Sequence, residues 1–232
     1  MRFFFAPILC LFLATPPLLA EEAAKEHLTF RFDHDSFFQS YPTLTLEHPL
    51  SGNNSFTASF VTYVAYHSIE LDMGWTHMIG AWMISPVLGA TSGSAAWGSG
   101  TDMRNYVGRD IVPQLGFYYS SPSWEGEASH GAWIPTQESP NTSLWYTQTR
   151  WWVVAKRNGF GLGPHLETFG SKEGRRSIRL SQFWAGAHLL KELPKGSFQL
   201  FLGYDTVALV SYQGAPKKAG AAFRATFIYP LF

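Results

Sequence analysis

The stretch Ala219–Phe232, reading AGAAFRATFIYPLF, limits what this chain can become more than any other. Every second residue back from Leu231 is apolar: Leu231, Tyr229, Phe227, Ala225 and Phe223. The interleaved Arg224 and Thr226 carry the polar atoms. Successive side chains of a strand point to opposite faces, so this spacing predicts a strand with one apolar and one mixed face. Pro230 falls at the strand end, where the ladder needs no donor. The cleanest case of the same alternation is the stretch from Leu28 to Ser36. There Leu28, Phe30 and Phe32 share one face, and Thr29, Arg31, Asp33 and Asp35 the other.

The amino-terminal residues point to export. Met1-Arg2 is a short positive region, Phe3 to Leu13 is an apolar run, and Ala20 precedes Glu21-Glu22. This pattern predicts a cleavable signal peptide over residues 1–20 and a single mature domain over residues 21–232. The apolar run is too short to span a bilayer, which takes about 20 residues. Cys10 lies within it and Leu9 before it is not small, so a lipoprotein cysteine is not expected. With Cys10 removed the mature chain has no cysteine, and no disulfide can staple it. No later run is long and apolar enough for a membrane helix. Only a closed barrel could then place this chain in a bilayer, because lipid cannot satisfy open backbone groups.

Charge and aromatic content narrow the class. The 17 basic and 17 acidic residues balance, which leaves no electrostatic footprint for nucleic acid. The chain is 16% aromatic but only 15% charged, against about 25% charged in ordinary soluble domains. Trp and Tyr suit membrane–water interfaces, as a barrel with two aromatic girdles would use them. The competing explanation is an aromatic-rich soluble sandwich or barrel holding a small apolar ligand.

Taken in order, the expected strands are Leu28–Ser36, Thr43–His48, Ser55–Tyr66, Ile69–Met78, Gly80–Gly89 and Asp110–Tyr119. They continue with Ser123–Ile134, Ser143–Val154, Phe160–Thr168, Ile178–Leu190, Phe198–Tyr212 and the closing stretch. Gln39-Ser40-Tyr41-Pro42, Ser51-Gly52-Asn53-Asn54 and Lys156-Arg157-Asn158-Gly159 read as turns. Ala90–Gly108, rich in Gly, Ser and Thr, reads as the longest loop. The result is an all-β, antiparallel up-and-down transmembrane barrel of 10–12 strands, each ~9–11 residues long.

Candidate sites follow from the faces. Arg31, Asp33, Glu70, Asp72, Glu125, Glu127 and Arg224 fall on polar faces and are expected to form a lumenal charge network. Arg150 and Arg179 are further basic partners. Such a network would plug a narrow barrel rather than line a conduit. Paired acids such as Glu125 and Glu127 can also run glycoside hydrolysis, but inward acids in a small barrel have bases to meet. The eight histidines are spread singly, so no metal site and no cofactor are expected. Gly161 and Gly163 lack the strand–turn–helix setting of a phosphate loop.

Several stretches resemble known families. A closing strand with an apolar outer face and a final Phe resembles that of bacterial outer-membrane β-barrels. That resemblance implies an insertion signal at Tyr229 and Phe232, read by the barrel assembly machinery, with outer-membrane lipid as the other partner. His34 and Ser36 lie on the face of Phe30 and Phe32 and resemble the His-x-Ser arrangement of outer-membrane lipid A deacylases. This implies a His base and a Ser nucleophile; the alternative is a pair of polar residues at a strand rim. Gly161-Leu162-Gly163-Pro164-His165-Leu166-Glu167 with Ala185-Gly186-Ala187-His188-Leu189 resembles small barrels encoded beside bacterial cellulose synthases, implying a link to polysaccharide export or anchoring. Asp33-His34-Asp35-Ser36-Phe37-Phe38 and Tyr41-Pro42 are similar to uncharacterised outer-membrane barrel families. The expectation is a monomeric, non-enzymatic outer-membrane barrel, structural or a narrow channel. A lipid-modifying hydrolase and a soluble ligand carrier are the alternatives.

Overall fold

Alternation along each stretch becomes a stave of one ring in the computed structural model, which describes residues 26–36, 39–64, 68–97, 104–108, 110–136, 144–173, 179–205 and 220–232. The strands are β1 (His27–Asp35), β2 (Gln39–Pro49), β3 (Asn54–Tyr63), β4 (Ser68–Ile79), β5 (Trp82–Trp97), β6 (Arg104–Gly108) and β7 (Asp110–Ser120). They continue with β8 (Trp124–Pro135), β9 (Leu144–Arg157), β10 (Phe160–Glu173), β11 (Arg179–Glu192), β12 (Ser197–Asp205) and β13 (Gly220–Pro230). Every pairing is antiparallel, sequence neighbours pair except β6 and β7, and these two lie end to end along β5 as one stave. β13 pairs with β1 and β4 with β5, so twelve staves close into a barrel, beyond which β6 and the end of β5 pair only with each other.

The seam shows how far the ladder runs. Phe32 faces Phe227, Asp33 faces Thr226 and Asp35 faces Arg224. Leu231 donates its N–H to the Leu28 carbonyl at 2.7 Å, and Leu28 donates to the Phe232 carbonyl at 3.0 Å. Tight turns sit at the end holding this seam, at 50–53, 80–81, 121–123, 158–159 and 193–196. Asn158 (φ 53°) and Gly159 (φ 72°) are both left-handed, the backbone of a two-residue hairpin turn whose twist matches its strands.

The two faces segregate as the alternation predicts. Outward go Phe32, Phe60, Leu71 (57% exposed), Met73 (64%), Leu88 and Leu162, among others, forming an apolar belt. Inward go Asp33, Asp35, Glu70, Asp72, Glu125, Glu167 and Arg224, all buried. Rings also go inward: Trp152, Phe169, Trp184 and Phe201 are almost fully covered.

Three expectations need correction. Ala90–Gly108 is not one long loop, because β5 continues to Trp97 and its Gly93–Trp97 segment pairs with β6. A ladder uses backbone groups alone, so small side chains do not prevent it, and Thr91 Oγ1 fastens the entry by donating to Asp110 at 3.0 Å. Tyr41 and Pro42 belong to β2 rather than to a turn; its ladder to β3 begins only at Thr43, so the proline leaves no donor missing there. Strand β10 runs on to Glu173, past the expected end at Thr168. The expected signal peptide, Phe37-Phe38, Tyr66 and the far end of Phe198–Tyr212 lie outside the described residues.

A charge placed on the outer belt tests this arrangement. Leu71→Lys is expected to cost roughly 2–4 kcal/mol of folding stability in lipid vesicles, read from the urea midpoint, because it sits on the apolar band.

Candidate functional site within the lumen

The inward side chains fill the barrel in three connected groups. One is organised by the guanidinium of Arg224 on β13. Its Nη2 donates to Glu167 Oε1 on β10 at 2.7 Å and lies 2.9 Å from Asp35 Oδ2 on β1. Its Nη1 donates to the Tyr41 hydroxyl on β2 at 2.5 Å, and Tyr41 in turn donates to Asp35 at 2.9 Å. One side chain thus ties together strands from β10 round to β2. Beside it, Asp33 is held by Arg31 Nε at 2.6 Å and by the Thr226 hydroxyl at 2.6 Å. Glu167 also accepts a short hydrogen bond from Gln148 and faces Arg150 Nε at 3.6 Å. Arg150 reaches Glu127 at 3.6 Å, and Glu127 accepts from Ser129 (2.8 Å) and from Trp152 Nε1 (3.2 Å).

Opposite in sign is the second centre, on Glu70 of β4. It accepts from Trp133 Nε1 on β8 at 2.8 Å, Gln114 on β7 at 3.0 Å and Tyr63 on β3 at 3.3 Å. Gln114 also approaches Asp72 at 3.4 Å. Gly89 makes this possible, since a Cβ there would collide with the Asp72 carboxylate. A carboxylate taken from water is costly unless donors meet it, and here neutral donors from three strands do so. The third group is nearer the tight turns, where Lys156 bridges Glu125 (3.2 Å) and Glu192 (3.0 Å).

Rings complete the filling. Trp152 stacks on His188 (4.2 Å, 7°), His188 lies 5.3 Å from His165, and His165 stacks on Phe201 at 4.2 Å. Trp184 and Phe169 continue the line at 6.1 Å and 4.8 Å. His165 Nδ1 and His188 Nδ1 are 3.0 Å apart, so one imidazole carries the shared proton. Between rings and arginines remains a cavity of about 10 Å³, bordered by Arg31, Arg150, His165, His188 and Arg224. That is room for about one water.

The structure brings Arg31, Asp33 and Arg224 into one group, leaves Glu70 and Asp72 as a second, and places Glu125 with Lys156 rather than with Glu127. Arg150 is an inward partner as the sequence suggests; the side chain of Arg179 lies outside the described residues. Tyr41, Gln148, Glu167, His165 and His188 join the lumenal network in addition to the residues the sequence points to. Parity within Gly161–Glu167 carries the signal for two of them, since His165 and Glu167 alternate with outward Leu162 and Leu166. Gly163 serves close packing, because a Cβ there would press into the Val153–Val154 backbone.

The outer-face pair is arranged differently from the sequence expectation. His34 Nδ1 meets Ser40 Oγ at 2.8 Å and its ring lies 5.5 Å from that of Phe223. Ser36 Oγ instead accepts from the Phe223 N–H at 2.9 Å and contacts its carbonyl at 3.3 Å, acting as a brace across the seam. Tyr229 stacks against Phe227 at 6.2 Å, and Phe232 is exposed. Among the described residues no group of three or more His, Cys, Asp or Glu could hold a metal ion.

The closed antiparallel barrel of twelve staves matches the fold of outer-membrane porins. It superposes on the NanC porin with a TM-score of 0.53 at 7% identity, covering 87% of this chain and 98% of that one. It also matches the COG4313 outer membrane channel from Pseudomonas putida F1, with a TM-score of 0.57 at 11% identity, covering 91% and 97%. In sequence, the chain belongs to a family of unknown function (DUF6733), matched over residues 1–212. No curated protein matches it.

Removing one hub tests the network. Arg224→Met strands Asp35 and Glu167, and is expected to cost roughly 3–5 kcal/mol in urea unfolding. Adding Glu167→Gln should recover part of that loss, giving a double-mutant effect smaller than the sum.

Proposed function

We propose that this chain is a non-enzymatic outer-membrane barrel that acts as a structural element or a narrow channel. Export through a cleaved leader and insertion by the barrel assembly machinery, reading the strand with Tyr229 and Phe232, belong to the same proposal. The observation that carries it is the Arg224 clamp, which reaches three staves round the wall to Glu167, with a cavity of only about 10 Å³ beside it. A sugar unit does not fit that cavity, and a role in the export of envelope polysaccharide would on this reading be one of anchoring rather than of conducting the chain. The belt of exposed Leu, Phe and Met favours lipid over water around the barrel, since soluble monomers rarely expose contiguous apolar patches beyond a few hundred Å². A soluble carrier of an apolar ligand would need the reverse arrangement.

Conductance in planar bilayers tests the narrow-lumen reading. Wild-type protein is expected to give small or no steps, and Arg224→Ala with Glu167→Ala and Trp152→Ala steps several-fold larger. Wild-type steps as large as the variant's would overturn it. For the hydrolase alternative, envelope lipid profiles should be the same for wild type and Ser36→Ala, because Ser36 is engaged by backbone. Deacylation that disappears in Ser36→Ala would favour the enzyme.

A further inference from the structure

We infer that the outer wall of β9–β12, close to the tight-turn end, holds an anionic phospholipid of the periplasmic leaflet. The inference rests on the outer-membrane reading above, which puts the short turns and the seam on the periplasmic side. Outward side chains of four consecutive strands border a groove of about 460 Å³. That volume is in the range of about 300–1,000 Å³ typical of ligand pockets. Ala155 on β9 leaves the depression, and Phe160, Leu162, Leu189 and Phe198 raise walls around it. An apolar trough on the lipid-facing surface takes an acyl chain.

What selects the headgroup is charge at the mouth. Arg157 closes β9 and Lys191 stands two strands away on β11, with Phe160 of β10 between them, both bordering the groove at its turn end. Lys191 Nζ is held 3.7 Å above the Phe160 ring, so the ammonium is fixed over the trough by a cation–π contact. Neither base forms an ion pair among the described residues. The nearest acid along the chain, Glu192, is engaged by Lys156 at 3.0 Å. Two cations at the mouth of an apolar trough, neither in a direct ion pair among the described residues, match a phosphodiester with a net negative charge above its own chain. A zwitterionic lipid offers the same chain with a cancelling charge, so the site discriminates by headgroup.

Native mass spectrometry of the full-length mature barrel, with phosphatidylglycerol or phosphatidylcholine added in detergent, measures this. Wild-type protein should retain phosphatidylglycerol over phosphatidylcholine. Arg157→Gln with Lys191→Gln should lower that retention roughly tenfold or more. Ala155→Leu, which fills the trough and keeps both charges, should lower retention of either lipid. Equal retention of the two lipids, or a preference unchanged in the charge variant, would overturn the site. Heat-modifiable gel mobility keeps the two failures apart. A chain without it is not a folded barrel and sinks the outer-membrane reading. A heat-modifiable chain with no lipid preference sinks this inference alone.

Discussion

Everything in this architecture depends on pairing the backbone groups of each strand. A strand facing hydrocarbon cannot leave an N–H or C=O open, since each open group costs several kcal/mol. Closure of β13 on β1 and of β4 on β5 removes both edges at once. The ring then imposes its own demand. Half of all side chains point into a space without bulk solvent, and each polar one there needs a partner. The Arg224 and Glu70 centres are two answers of opposite sign: a cation collecting acids and a hydroxyl, and an acid collecting neutral donors.

The lumen is thus closer to the interior of a globular protein than to a water channel. Its charges meet cations around Arg224 and neutral donors around Glu70, and its rings stack against one another rather than lining a bore. Breaking a charge pair of this kind by removing one partner costs more than the pair itself contributes, because the other charge stays buried. A filled lumen is therefore stable against small openings, which fits a wall or an anchor better than a wide pore.

Much of this is legible in the sequence where the barrel faces differ in polarity. In β1 and β13 the outward residues are mostly apolar and the inward ones carry the charged and polar atoms, so period two reads directly from Leu28–Asp35 and Phe223–Leu231. In β9 it does not. Trp151 faces out and Trp152 faces in, because the lumen accepts rings as readily as lipid does, and apolarity no longer marks the face. The Gly93–Trp97 extension is hidden for another reason: it is held by main-chain pairing that leaves no pattern in side chains. The His34 partner is hidden from the sequence because Ser36 is near on the same strand, whereas cross-strand pairing sets His34 opposite Ser40.

The location of Arg224 has a temporal side. Its acceptors Asp35 and Glu167 stand on β1 and β10, while Arg224 itself rides on β13, made long after both. Until that strand docks, Asp35 lacks its cation and Glu167 is left with the more distant Arg150. Sealing the wall and settling the interior charge are then the same event. A half-zipped ring is penalised twice, in unpaired backbone and in unmatched charge, and the product should appear all at once rather than through a long-lived open form.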